Sequence, residues 1–184
     1  MGRSRGPWRP PLADLAPAFL IVLLAAGLGI SLVTDLRSRL ILDVVTWPML
    51  GLSLAVRGAL VGWDGPMGLC SGLLGAAVGL AVFLIPAWRG GIGFGDVKLA
   101  GAVGAALGFE RIWAALFWIA IAGGVFAFAV MAWQGSIRPT LRSTASMLLR
   151  IRAPAAAPER VFLPYGVAIV AGTAASVVIE VASW

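Results

Sequence analysis

Histidine is absent from this 184-residue chain, and cysteine occurs once, as Cys70. Without histidine, the Ser–His and Cys–His nucleophile pairs and histidine-ligated metal centres are excluded. A single cysteine can close no intramolecular disulfide and form no Cys-x-x-Cys zinc pattern. Charge is scarce too: 12% of residues are charged, against roughly 25% in a soluble domain. No Gly-x-x-x-x-Gly-Lys or Gly-x-Gly-x-x-Gly stretch occurs, so neither phosphate loop is present. No metal and no cofactor are expected. Any catalysis must use carboxylates, lysine, hydroxyls or backbone.

What is present in excess is apolar surface. Hydrophobic residues make up 60% of the chain and the mean hydropathy is +0.97. One small globule cannot hide that much, and lipid is the natural solvent for the rest. Six apolar runs follow one another, at residues 15–33, 44–60, 67–88, 96–109, 112–133 and 161–182. A spanning helix needs about 20 mostly apolar residues. The expected fold is therefore all-α, a single polytopic membrane domain over 1–184 with about six transmembrane helices. The first run, behind Arg3, Arg5 and Arg9, has the layout of a signal peptide. It is long for one, and Asp35 follows it directly. Glu110-Arg111 is expected to break the pattern between the fourth and fifth runs. Many of the 24 glycines, Gly123 among them, are expected to let helices pack closely.

The net charge of +6 sits between apolar runs, with no aromatic–basic platform outside them. It therefore reads as the positive-inside signature rather than as a nucleic-acid surface. With the N-terminus outside, nine of the 14 basic residues fall inside: Arg37, Arg39, Arg89, Lys98, Arg138, Arg142, Arg150, Arg152 and Arg160. Arg3, Arg5, Arg9, Arg57 and Arg111 fall outside. Both termini are thus expected outside, and the basic stretch 134–160 is expected as a cytoplasmic, interfacial loop.

Of the eight acids, five sit at run ends or in loops, where a headgroup position suffices. Asp35, Asp43 and Asp96 differ. All three fall on the cytoplasmic side, and carboxylates at membrane depth are costly and tend to be functional. Asp96 follows the glycine cluster Gly90-Gly91-Ile92-Gly93-Phe94-Gly95. Two readings of that cluster stay open on physical grounds. It can serve helix packing, or it can mark a glycine-broken helix start beside a wet cavity holding a carboxylate.

Gly93-Phe94-Gly95-Asp96 is a Gly-x-Gly-Asp motif, as in intramembrane aspartyl proteases. Its continuation through Val97-Lys98-Leu99 resembles the type IV prepilin peptidase family. Thr34-Asp35-Leu36-Arg37-Ser38-Arg39 resembles that family's first catalytic segment, and Leu163-Pro164-Tyr165-Gly166 its late Pro-Tyr-Gly motif. The matches keep the family's order and span roughly residues 15–182. The resemblance implies an aspartic endopeptidase of the inner membrane. Such an enzyme cuts the basic leader from prepilin-like substrates at the cytoplasmic face and works beside a pilus assembly machinery. It implies Asp35 and Asp96 as the catalytic pair, with Gly93, Gly95, Lys98, Pro164, Tyr165 and Gly166 shaping the site or meeting substrate. The lone cysteine leaves no cysteine-rich methyltransferase segment, which is similar to the short, peptidase-only branch serving tight-adherence or Flp-type pili. Ile41-Leu42-Asp43 stands where the family often has Ile-Pro-Asn, and Asp43 is expected to cap the second helix. Two other readings are a non-enzymatic transporter or assembly subunit whose acids line a polar path, and a presenilin-like protease with other substrates.

Overall fold

The computed structural model describes residues 13–38, 42–89, 92–133 and 165–182. Six α-helices and no strands occur among them: α1 (Ala16–Ser38), α2 (Asp43–Val56), α3 (Leu69–Trp88), α4 (Phe94–Leu107), α5 (Phe109–Trp133) and α6 (Tyr165–Ala182). α2 runs on as a wider π turn, Arg57–Val61. Four segments are long and apolar enough to cross a membrane: Ala16–Ser38, Asp43–Val61, Leu69–Trp88 and Phe109–Val130. Large apolar side chains on these helices, among them Val22, Trp88, Phe117 and Val125, point away from the bundle. That is the arrangement lipid requires. The chain is a polytopic, all-helical membrane protein.

Several boundaries differ from the apolar runs, for local reasons. α1 continues past Val33 to Ser38, because a charged tail can leave the membrane without breaking the helix. α3 starts at Leu69 rather than Met67. The preceding turn is closed by the Gly68 N–H donating to the Gly65 carbonyl at 3.0 Å, with Gly65 at φ 94°. α4 begins two residues before Asp96. Glu110 and Arg111 do not break the chain but lie in the first turn of α5, where an acid meets the positive end of the helix. The break falls at Gly108 instead, at φ 82°, a conformation that side chains disfavour. The stretch 134–160 and the start of the sixth run, 161–164, lie outside the described residues.

α4 is the hub: it contacts α1, α2, α3, α5 and α6. All of its residues from Leu99 to Leu107 are buried. A helix hidden on every side must be apolar all round, and this one is thin as well, built largely of alanine and glycine. Gly75 and Gly79 of α3 meet Gly104 and Ala100 of α4 backbone to backbone, so that a Cβ on any of the three glycines would collide with a facing carbonyl oxygen. Gly172 of α6 is equally tight against the Ile119 backbone of α5. Gly123 is not such a position. A methyl group there would stand 3.7 Å from the Ala168 side chain, an ordinary contact.

Candidate active site

Asp35 lies in the last turn of α1 and Asp96 in the first turn of α4, and both are buried, at 6% and 9% exposure. Sixty-one positions separate them in sequence, yet their carboxyl groups are close enough for their charges to act on each other. Two carboxylates in such proximity do not both ionise readily, and a shared proton resolves the conflict.

Each acid is held by a helix start. Gly93 is the residue before α4, and its N–H donates to Asp96 Oδ2 at 3.3 Å, while the Asp96 N–H donates to the Gly93 carbonyl at 3.1 Å. This is the reach-back half of a capping box. It accounts for the spacing of the motif: an acid three residues after the cap turns back onto its own helix. Gly95, between them, is half-buried.

Asp35 is held by the start of α6. The Val167 N–H, in the first turn of α6, faces its carboxyl group. The first N–H groups of a helix have no partner within it and carry partial positive charge. Gly166 makes this approach possible. A Cβ there would stand 2.5 Å from Asp35 Oδ2 and 2.9 Å from its Cγ. Asp35 Oδ2 itself is buried with no hydrogen-bond partner among the described residues. An oxygen left in that state has a lone pair available to a water or a shared proton. Tyr165 is half-buried at the head of α6, and Pro164 lies outside the described residues.

Lys98 does not turn to Asp96. Its Nζ lies 2.7 Å from both carboxylate oxygens of Asp43, and the two side chains are 37% and 58% exposed. Residues two apart on a helix point in different directions, so α4 aims Asp96 inward and Lys98 outward. Asp43 is not a cap: Leu42 occupies that position, and no side chain caps α2. Asp43 instead ties the head of α2 to Lys98 in the second turn of α4.

The backbone donor Val167 leaves no trace in a reading of side chains, although the Pro-Tyr-Gly motif stands right beside it.

A model of the type IV leader peptidase family matches residues 21–128, and the chain belongs to that family. The matched stretch contains both buried aspartates and ends before α6. No curated protein and no solved structure gives a significant match.

Proposed function

We propose that this chain is a membrane-embedded aspartic endopeptidase that removes the basic leader from type IV, Flp-like prepilins at the cytoplasmic face of the inner membrane. Asp35 and Asp96 are its catalytic pair. The observation that carries the reading is the meeting of two buried carboxyl groups from distant segments, each facing an N–H group of a helix start. The ionised member takes a proton from water, and the oxygen of that water attacks the scissile carbonyl. The protonated member donates to the carbonyl oxygen as negative charge develops there. The proton taken from water then passes to the leaving amine. Neither step needs histidine or a cofactor.

Gly93 and Gly95 give Asp96 its place at the helix start, and Gly166 lies against Asp35, with Tyr165 preceding it at the head of α6 and Pro164 completing the sequence motif. Lys98 frames the exposed side through Asp43. Family membership supports a prepilin as substrate. The single cysteine supports the peptidase-only, Flp-serving branch, working beside a pilus assembly machinery. The test is reconstitution of the purified protein with a Flp-type prepilin and a gel assay for leader loss. Cleavage that disappears in Asp35→Asn and in Asp96→Asn supports the reading. Cleavage retained in both removes the aspartic mechanism. No cleavage by the wild-type protein favours a non-enzymatic membrane role for the two acids.

A further inference from the structure

Arg57 is fully buried, at 0% exposure, at the end of α2 remote from the aspartates. No acid forms an ion pair with it among the described residues; backbone carbonyls receive it instead. Its Nε and Nη2 each lie 2.8 Å from a carbonyl oxygen of the last turn of α4, Ala105 and Ala106 respectively. Its Nη1 reaches the Pro66 and Gly68 carbonyls, each at 3.5 Å, in the turn that leads into α3. The surroundings are cut to fit. A Cβ on Gly72 would stand 2.6 Å from Arg57 Cδ, and one on Gly108 would stand 2.9 Å from Nη2. Beside it, the Phe109 N–H that opens α5 donates to Ser71 Oγ of α3 at 3.0 Å.

The last carbonyls of a helix have no partner within it, and in a membrane-spanning bundle they must find one in protein. The planar fork of arginine satisfies two at once, and its charge suits the negative end of the helix. α4 has 14 residues, or about 21 Å at ~1.5 Å per residue, against a hydrocarbon core of ~30 Å. It cannot reach both surfaces. Whatever fixes its Leu107 end therefore sets the level of Asp96 at the other.

We propose that Arg57 is the positioning residue of this site: by anchoring the end of α4 to the turn before α3, it sets the depth of Asp96 and hence its register against Asp35. The catalytic consequence rests on the proposed function, whereas the effect on helix position does not. The experiment separates them. Spin labels are placed at Leu36→Cys and Phe94→Cys, both more than 60% exposed, in a Cys70→Ala background. Their separation is measured by pulsed electron resonance in Arg57→Leu, Arg57→Lys and Gly72→Ala. Gly72→Ala keeps the charge but crowds the arginine stem, and it carries the test if Arg57→Leu does not accumulate.

The expected result is a shift or broadening of the label distance by about one residue rise, ~1.5 Å, or more, smaller in Arg57→Lys. Cleavage falls on the order of 100-fold, since misplacing a reacting group by 1 Å costs about that much. The two limbs of the pH–rate profile also move relative to each other, because their separation reports coupling within the aspartate pair. A merely structural arginine would lower the amount of folded protein and scale the profile without moving its limbs. An unchanged label distance in the variants that accumulate overturns the proposal, whatever their activity. A wild-type protein that cleaves no prepilin while the distance still shifts would sink the peptidase reading and leave the positioning of α4 standing.

Discussion

Gly166→Ala perturbs one contact. The added methyl carbon would lie 2.5 Å from Asp35 Oδ2, with no backbone conformation at issue and no other side chain as near. A carbon and an oxygen sit comfortably at about 3.4 Å or more. The carboxyl group or the head of α6 must therefore give by nearly 1 Å. Either movement takes Asp35 out of line with the Val167 N–H and with Asp96. A displacement of that size at a reacting group costs about 100-fold in rate, or ~2.7 kcal/mol at 1.36 kcal/mol per tenfold. The assay is leader cleavage in detergent or proteoliposomes, normalised to folded protein. Gly172→Ala supplies the contrast on the same helix. It meets the α5 backbone rather than an aspartate, so it should lower the amount of folded protein and leave the rate of the surviving fraction intact. Gly123→Ala, with its 3.7 Å clearance, should change neither. Wild-type cleavage by Gly166→Ala would show that the glycine does not hold the space beside Asp35, and the geometric account of the Pro-Tyr-Gly motif would fall with it.

Asp35→Asn and Asp96→Asn should each abolish leader cleavage at unchanged protein level, whereas Asp43→Asn should stay active, since it loses only an exposed ion pair worth about 0–1 kcal/mol; an inactive Asp43→Asn beside an active Asp35→Asn would mean the wrong acids were paired. Lys98→Arg should retain most activity by keeping a cation opposite Asp43, and complete loss in a well-expressed Lys98→Arg would place Lys98 on the substrate. Gly104→Val should prevent accumulation, because it drives α4 off the Gly75 backbone; normal levels on an immunoblot would contradict that packing. Reporter fusions after Arg89 should behave as cytoplasmic, and a periplasmic signal there would put both aspartates on the wrong side of the membrane for a leader-cleaving enzyme.

The helices were legible because lipid enforces length and apolarity, and all six runs correspond to helices in the described residues. Their ends were less legible. Composition cannot show that Gly108 takes positive φ, so the α4–α5 break was placed at the charged pair Glu110-Arg111 instead. Those charges find other partners: Arg111 Nε lies 2.7 Å from Glu180 Oε1 of α6. At the candidate site, the resemblance to the prepilin peptidase family singled out Asp35, Asp96 and Gly166, and the structure places Gly166 against Asp35 and Asp35 near Asp96. The physical reasons were hidden. The groups that face the two acids are backbone N–H groups of Gly93 and Val167, which any residue but proline would supply. The counting of basic residues assigned Arg57, at the far end of the second run, to the outer side. A count by sequence position cannot distinguish a solvated guanidinium from one sealed among carbonyls.

The Val167 N–H beside Asp35 belongs to α6, which leaves the ribosome after the segments that carry both acids. Residues 35 and 96 are made and inserted well before it, so a partly synthesised chain carries both acids but lacks one wall of their site. The candidate site is then complete only once α6 has packed against α1 and α5. On the proposed function, a chain truncated before α6 would carry both acids in the membrane without the backbone that closes their site.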